Sequence, residues 1–220
     1  MSTHYASRVD GTARRASLAD SRLYLALEAR SHEDDPRPLL DAALRGGVDI
    51  VQLREKTLED KVLIAAAEPF RAACNVHGAL FVLNDRPDLV AACGADGVHV
   101  GRSDTPVAEA RSLVGPERLV GLSVSTLDEL GEVRGADYVG VTAFATPTKE
   151  DAVAGGLELL RAATETLTVP WFAIGGIELS NVAGVAGVGA PGVAVVRAIR
   201  DADDPEAAAR MLRAALDRQQ

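Results

Sequence analysis

Residues 49–56 read Asp-Ile-Val-Gln-Leu-Arg-Glu-Lys, a short apolar run that ends in an amide, a guanidinium and an ammonium group. The run predicts a buried parallel strand at residues 49–53, because strands covered on both faces are rich in aliphatic residues. Polar side chains follow later apolar runs in the same way, at residues 84–86, 101–104 and 146–149, and a glycine pair follows another run at residues 175–176. We expect these strand ends to meet at one mouth of the molecule that binds a charged anion.

Short apolar runs and longer helical patterns alternate eight times from Arg22 onward. The predicted strands cover residues 23–27, 49–53, 79–83, 97–100, 119–123, 138–141, 171–174 and 192–195. The helical patterns cover residues 38–45, 58–74, 87–93, 106–114, 127–134, 156–166, 179–188 and 205–218. Eight such units predict an α/β protein with one domain, a (β/α)8 TIM barrel, over residues 21–220. An open doubly wound sheet is the alternative, although it usually has fewer strands and one dominant glycine-rich crossover.

Two segments depart from this pattern. Residues 1–20 hold the arginine pair Arg14-Arg15 and three serines but no apolar core, which predicts a disordered tail and not a secretory signal. Pro69 lies inside the second helical pattern, where a proline kinks or splits a helix. We therefore expect a bend near Glu68.

The composition limits the classes of function. The chain has 220 residues, a net charge of −9 and a pI near 5.0, which argue against a general nucleic-acid or anionic-membrane surface. No apolar run approaches the roughly 20 residues of a membrane span. Cys74 and Cys93 form no CxxC motif, so neither a disulfide framework nor a zinc site is expected. We expect a cytoplasmic protein with small-molecule partners, without nucleic acid or membrane, and the sequence leaves a homo-oligomer open.

Asp85 and Asp104 follow the third and fourth predicted strands. In a parallel barrel they would lie on neighbouring strands about 5 Å apart. Two carboxylates with open coordination positions suit Mg²⁺ shared with a substrate phosphate. Helix capping is the alternative for each, because Pro87 and Pro106 follow closely and Asp is a favoured N-cap residue.

Cationic and amide side chains lie at neighbouring strand ends and in the loop after the sixth strand: Gln52, Arg54, Lys56, Asn84 and Lys149. Cations facing a pair of carboxylates suggest a pyrophosphate bound between them. A solvated surface with local ion pairs is the alternative for any single Lys or Arg. It is weaker for Gln52 and Arg54, which alternate with apolar residues and should point into the barrel.

A second phosphate site is predicted on the opposite strands. Gly175-Gly176 ends the seventh strand and Val196-Arg197 ends the eighth, where barrel enzymes often bind phosphate on backbone N–H groups. A tight turn is the plainer explanation of the glycine pair. Residues 143–156 have the composition of a mobile lid that brings Thr146, Thr148 and Lys149 to a phosphate.

Ser123 closes the fifth strand and is a further candidate site residue. Ser125 and Asp128 have the spacing of a capping box for the next helix. His99 is interpreted as a buried histidine with satisfied hydrogen bonds, because no serine or cysteine nucleophile is placed beside it.

Five short motifs in this order resemble the thiamine-phosphate synthase family over nearly the whole chain. They are Gln52-Leu53-Arg54-Glu55-Lys56, Asn84-Asp85-Arg86, Gly97-Val98-His99-Val100-Gly101 with Asp104, Thr146-Pro147-Thr148-Lys149 and Ala173-Ile174-Gly175-Gly176-Ile177. The resemblance implies a (β/α)8 transferase that joins hydroxymethylpyrimidine diphosphate to thiazole phosphate carboxylate. The products are thiamine phosphate, pyrophosphate and CO₂, formed by a Mg-assisted dissociative displacement.

The resemblance also implies the roles of individual residues. The pyrimidine diphosphate would be held by Gln52, Arg54, Lys56, Asn84, Ser123 and Lys149, of which Arg54, Lys56, Ser123 and Lys149 would be catalytic. Asp85 and Asp104 would bind Mg²⁺. The residues around the thiazole phosphate would be Thr146, Thr148, Gly176, Val196 and Arg197. The chain departs from the family pattern at Arg197, Arg102 and Thr142, where the family usually has Ser, Gln and Gly.

Two alternatives stay open on the same barrel. One is a thiazole tautomerase-like protein, which binds the same thiazole phosphate without coupling it. That pattern has a His after the fifth strand and an altered Thr-Pro-Thr-Lys segment, whereas this chain has Ser123-Val124-Ser125 and the intact segment. The other is a non-catalytic regulator that binds thiazole phosphate, since a fold does not imply catalysis.

Overall fold

The structure, a computed structural model, describes residues 10–29, 35–144 and 156–217. Within them a closed barrel of parallel strands runs in chain order. The strands are β1 Leu23–Leu27, β2 Ile50–Leu53, β3 Leu80–Asn84, β4 Gly97–Val100, β5 Leu119–Val124, β6 Tyr138–Thr142, β7 Trp171–Ile174 and β8 Val193–Val195. The ring closes where β1 pairs with β8. The predicted (β/α)8 barrel is confirmed.

Helices lie between the strands and before the first one. They are α1 Gly11–Asp20, α2 Arg37–Arg45, α3 Asp60–His77, α4 Val90–Cys93, α5 Val107–Val114, α6 Leu127–Leu130, α7 Gly156–Thr166, α8 Val182–Gly187, α9 Arg197–Arg200 and α10 Pro205–Asp217, and a 3-10 turn at Pro87–Leu89 leads into α4. Among the described residues, no helix combines the length and the apolar character that crossing a membrane requires.

Several helices differ from the prediction, three of them near the mouth or at a proline. Helix α3 continues through the buried Pro69, so the predicted alternative of a split helix is wrong, while the bend near Glu68 stays a prediction. Helix α6 ends at Leu130, where Gly131 follows, and not at residue 134. The short α9 directly after β8 was not predicted.

Apolar side chains form two separate cores because strand residues alternate between the two faces of the barrel. The larger core lies between strands and helices and includes Leu25, Val51 and Leu83. The smaller core fills the barrel and includes Tyr24, Tyr138 and Phe172, whose rings lie 5.5–6.1 Å apart between centroids. Because side chains fill the interior, a ligand-binding site must lie at the ends of the strands.

Helix α1 covers the N-terminal end of the barrel. Leu18 is 2% exposed and belongs to the inner core, while the Asp10 side chain caps the helix by accepting the Thr12 N–H at 2.9 Å. Arg14 pairs with Asp96 at 2.9 Å. The disordered tail predicted for residues 1–20 is therefore wrong for 11–20, and residues 1–9 lie outside the described residues.

Three aspartates at the same end bind neighbouring strands together. Asp96 precedes β4, and its Oδ2 accepts the Phe81 N–H of β3 at 3.0 Å while its own N–H donates to Phe81 O at 2.7 Å. Asp49 before β2 makes the same pair of hydrogen bonds to Leu23 of β1, and Asp137 before β6 makes them to Val120 of β5. Each of the three carboxylates also pairs with an arginine: Asp96 with Arg14, Asp137 with Arg111 and Asp49 with Arg213. The repeat fixes the register at the end opposite the predicted site.

Candidate active site

Asp85 takes an unusual backbone conformation at the end of β3. Its φ of 57° is the only positive value at a non-glycine residue within the described ranges. The Asp85 N–H donates to His99 O at 2.9 Å, which ties this turn to the end of β4. Left-handed backbone at an aspartate costs energy and tends to persist where function requires it.

Asp104 meets Asp85 at the mouth. Burial, followed by the charge and hydrogen bond of Asp104, raises the pKa of the half-buried Asp85. Asp104 is exposed, and its Oδ2 accepts the Gly101 N–H at 2.9 Å. Neither aspartate caps a helix, because the residue before α5 is Pro106 and that before the 3-10 turn is Arg86. The structure brings the two carboxylates together and excludes the capping alternative.

The neighbouring donor set suits a divalent cation with hard oxygen ligands. In the part of the chain that the structure describes, no cluster of three or more His, Cys, Asp or Glu side chains could enclose a metal. Two adjacent carboxylates that repel one another still suit Mg²⁺, which keeps several waters and shares substrate phosphates. The chemistry of Asp85 and Asp104 therefore fits a magnesium ion.

Cations from the β2 end lie on the same side of the mouth. Lys56 is exposed and lies near Asp85. Burial raises the pKa of Asp85, and the positive charge of Lys56 partly offsets that rise. Arg54 is half-buried and pairs with Glu28 at 4.0 Å. Glu55 Oε1 accepts the Ala29 N–H at 2.7 Å, so the ion pair of Arg54 is with Glu28 and not with its neighbour Glu55.

Two buried amides accompany them. Asn84 is 6% exposed, and its Nδ2 donates to Asp85 Oδ2 at 2.5 Å. Gln52 is 5% exposed, and its Nε2 donates to the Tyr24 hydroxyl at 3.0 Å. Gln52 therefore points into the barrel, as its alternation with apolar residues predicts.

Ser123 and His99 form a contact that sequence reasoning missed. His99 Nε2 lies 2.9 Å from Ser123 Oγ, so the interpretation that no serine lies beside the histidine is wrong. His99 Nδ1 lies 3.2 Å from the Tyr138 hydroxyl, which satisfies both ring nitrogens. The contact follows from the barrel register, in which His99 pairs with Gly121, two residues before Ser123.

The opposite side of the mouth holds the residues of the predicted second phosphate site. Gly175 and Gly176 have φ values of +103° and +60°, and a Cβ on Gly175 would lie 2.5 Å from Phe144 O. The close approach of Phe144 O therefore requires glycine at position 175, and Gly176 lies in the left-handed region that favours glycine. Val196 is half-buried, and Arg197 is exposed at the first position of α9. Thr146, Thr148 and Lys149 lie outside the described residues.

The remaining departures from the family pattern have structural partners. Arg102 donates to Glu132 at 2.9 Å and to Glu129 O at 2.7 Å. Thr142 is buried, and its hydroxyl lies 2.9 Å from that of Ser125. The capping box of α6 consists of Thr126 and Glu129, so the prediction of Ser125 and Asp128 was displaced by one residue.

Fold and site together define a class: a (β/α)8 barrel whose C-terminal mouth combines two carboxylates, cations and buried amides suited to a phosphorylated ligand with a metal. The profile of the thiamine monophosphate synthase family matches residues 23–199. The chain belongs to this family, which confirms the resemblance carried by the five motifs.

Curated relatives agree over most of the chain. "Thiamine-phosphate synthase" of Arthrobacter sp. (strain FB24) is 44% identical over 229 residues, covering 92% of this chain and 97% of that protein. The protein of the same name from Nostoc sp. (strain PCC 7120) is 43% identical over 211 residues. That alignment covers 94% of this chain but 59% of the Nostoc protein, so the chain spans about three fifths of that relative's length.

One solved structure agrees with these relatives, and another shares only the fold. "Thiamine phosphate pyrophosphorylase" from Pyrococcus furiosus is 33% identical, with a TM-score of 0.82 and coverage of 94% of this chain and 98% of that one. A 3-hexulose-6-phosphate synthase at 24% identity has a TM-score of 0.67, covers 89% of this chain and 99% of that one, and shows the fold alone.

Proposed function

We propose that this protein is a thiamine-phosphate synthase, which couples a hydroxymethylpyrimidine diphosphate to a thiazole phosphate carboxylate. Family membership and the names of the relatives support this activity. The observation that carries the proposal is the meeting of Asp85 and Asp104 at the barrel mouth, within the influence of Lys56. The resulting donor set matches a leaving diphosphate and its metal.

The substrate diphosphate would lie between the cations and the carboxylates. Gln52 and Asn84 are held in fixed positions by Tyr24 and Asp85, so they can orient the pyrimidine diphosphate without further ordering. Arg54, Lys56 and Lys149 would bind its oxygens. Mg²⁺ held by Asp85 and Asp104 would neutralise the negative charge that develops on the leaving group.

The reaction needs no protein nucleophile. The C–O bond to the diphosphate breaks with its electron pair on oxygen, and the electron-rich aminopyrimidine carries the positive charge. A C–N bond then forms to the thiazole, whose carboxylate leaves as CO₂, and the electron pair left on the ring carbon takes up a proton from solvent. Ser123 and His99 resemble half of an acyl-transfer triad, but the Tyr138 hydroxyl lies 3.2 Å from His99 Nδ1, the position where a triad has its carboxylate. We therefore assign Ser123 to substrate binding and charge stabilisation.

The thiazole phosphate would occupy the side of the mouth formed by β7 and β8. Gly176 and Val196 expose backbone there, and Arg197 adds a cation at the start of α9. Thr146 and Thr148 would approach from the segment after β6. Such a reaction, on small phosphorylated substrates, suits the cytoplasm.

The test is turnover with purified protein, Mg²⁺ and both substrates, with thiamine phosphate and pyrophosphate as readouts. Wild-type protein should form both products, whereas Asp85→Asn and Asp104→Asn should lose most activity while remaining folded. Asp128→Asn removes the same charge from an exposed position on α6 and should retain activity. Absence of product from the wild type would refute the synthase, and undiminished rates in both rim variants would refute the metal role.

The two alternatives predict different products. A thiazole tautomerase-like protein would convert the thiazole phosphate alone, without pyrimidine diphosphate. A non-catalytic regulator would bind thiazole phosphate and release no pyrophosphate. Measuring pyrophosphate with each substrate omitted in turn separates all three functions.

A further inference from the structure

A chain of hydrogen bonds crosses the barrel interior beneath the mouth, from β2 to β5. Gln52 Nε2 donates to the Tyr24 hydroxyl at 3.0 Å, and that hydroxyl lies 3.2 Å from the Tyr138 hydroxyl. The Tyr138 hydroxyl lies 3.2 Å from His99 Nδ1, and His99 Nε2 lies 2.9 Å from Ser123 Oγ. The chain thus connects a residue on β2 with one on β5, and both belong to the proposed substrate site.

The two tyrosines at its centre are sealed from water. Tyr138 is 0% exposed and Tyr24 is 3% exposed, and both rings pack edge-on against Phe172. Burial raises the pKa of each phenol far above neutrality. Each hydroxyl therefore keeps its single hydrogen, and in this dry interior that hydrogen needs an acceptor.

Satisfying every donor fixes the direction of the chain. The amide nitrogen of Gln52 only donates, so Tyr24 accepts and passes its own hydrogen to Tyr138. Tyr138 then donates to His99 Nδ1, which accepts only when it carries no proton. A neutral His99 is left with its hydrogen on Nε2, from which it donates to Ser123 Oγ.

Two glycines make room for this arrangement. A Cβ at Gly121 would lie 2.2 Å from Tyr138 Cζ and 2.5 Å from His99 Nδ1. A Cβ at Gly140 would lie 3.3 Å from His99 Cε1. Any side chain on β5 at position 121 would displace the two rings, so the sequence leaves space for this histidine and this tyrosine side by side.

We propose that Tyr138 is a positioning residue, which holds His99 as the Nε2–H tautomer and thereby turns the Ser123 hydroxyl into a hydrogen-bond donor toward the substrate. With its oxygen occupied by His99, Ser123 directs its own hydrogen at an acceptor atom of the pyrimidine diphosphate. The kinetic part of the proposal rests on the proposed function. The tautomer is a property of the protein alone and can be measured without turnover.

The first experiment is ¹⁵N NMR of the histidine rings in the full-length protein without substrate, with the His99 signals assigned from His99→Gln. The wild type and Ser123→Ala should both show the Nε2–H tautomer, because Tyr138 still donates to Nδ1. Tyr138→Phe keeps the ring but removes the donor, so the Nε2–H fraction should fall. An Nδ1–H tautomer in the wild type would overturn the proposal, and the wild-type measurement does not depend on the folding of any variant. An unchanged tautomer in a folded Tyr138→Phe protein would overturn the proposal as well.

The second experiment is a double-mutant cycle on kcat/KM for the pyrimidine diphosphate. Tyr138→Phe should lower it about tenfold in the wild type, the effect of one lost oriented hydrogen bond, and hardly at all in Ser123→Ala. The KM for the thiazole phosphate should stay constant. An equal loss in both backgrounds would overturn the coupling. If the tautomer is as expected but no protein turns over, the proposed function fails and the hydrogen-bond chain stands. If turnover proceeds and Tyr138→Phe is fully active, the proposed function stands and the positioning role of Tyr138 fails.

Discussion

Arg86 Nη2 bonds Asp60 Oδ1 at 2.8 Å and so joins the turn after β3 to the first turn of α3. The same guanidinium holds Asp88 through two bonds of 2.7 and 3.0 Å. Arg86 directly follows the strained Asp85, and the segment that leads into α3 carries Lys56. One side chain therefore links the turn that carries the proposed metal ligand to the helix that follows Lys56.

Replacing Arg86 by Gln should raise the Mg²⁺ concentration for half-maximal activity about tenfold, as for other residues that orient metal ligands. The reason is that the left-handed turn at Asp85 loses its anchor on α3. Titrating Mg²⁺ in the turnover assay measures the effect. Asp60→Asn breaks only the link between the two segments, whereas Asp88→Asn breaks only the local pair. A larger effect of Asp88→Asn than of Asp60→Asn would contradict the anchoring role.

Helix α1 should contribute strongly to stability although it lies far from the mouth. Leu18→Ala removes a side chain that is 2% exposed and belongs to the inner core, which should lower the free energy of unfolding by about 2–4 kcal/mol. Urea unfolding followed by circular dichroism gives this value. Met211→Ala on α10, where the methionine is 51% exposed, is the control and should change little. Equal stability of the two variants would mean that α1 does not seal the barrel.

Acid should weaken one contact between α2 and α3. The hydrogen bond from His77, 2.6 Å from Asp41 Oδ1, and then the charge of Arg45 hold the pKa of Asp41 below its usual value. Because this pKa is lower in the folded than in the unfolded protein, the stabilisation exists above the unfolded value of about 4 and disappears as the pH falls through the folded value.

Asp41→Asn should therefore lower the thermal midpoint at pH 7, by a small amount because exposed pairs contribute little. The difference between the wild-type and variant midpoints should shrink as the pH falls below about 4. Differential scanning fluorimetry from pH 3 to pH 7 checks this, with Asp128→Asn as the charge-matched control. A constant difference across that range would show that the ionisation of Asp41 is not involved.

The barrel and the location of its mouth could be predicted because both follow from local patterns. Buried parallel strands read as short aliphatic runs, and a parallel barrel gathers the carboxyl ends of all its strands at one end. Asp85 and Asp104, 19 positions apart in the sequence, could thus be placed on adjacent strand ends without knowledge of distances. The end of α6 and the position of its capping box were misjudged by a few residues, because Ser125 and Thr126 both suit a cap.

Helix α1 and the interior contacts could not be predicted because their partners are distant in the sequence. Arg14 and Asp96 are separated by 82 positions, so the arginine pair looked unanchored beside serines and carried no apolar signal. Ser123 and His99 are 24 positions apart on neighbouring strands, and their contact depends on the register of the barrel. A periodicity argument places each strand but leaves its register against the next one undetermined.

Gly121 offers a direct test of the packing around His99 and Tyr138. Its Cβ in Gly121→Ala would lie 2.2 Å from Tyr138 Cζ, which is closer than two atoms can approach, so the ring must move. Overpacking of this kind should lower the free energy of unfolding by about 1–3 kcal/mol and should also reduce turnover, since the hydrogen bonds to His99 shift. The control is Gly184→Ala in α8, where a Cβ meets no atom within 4 Å and alanine favours the helix. Chemical denaturation and the turnover assay on both variants decide the matter: a Gly121→Ala protein as stable and as active as Gly184→Ala would show that the two rings do not fill the space above β5.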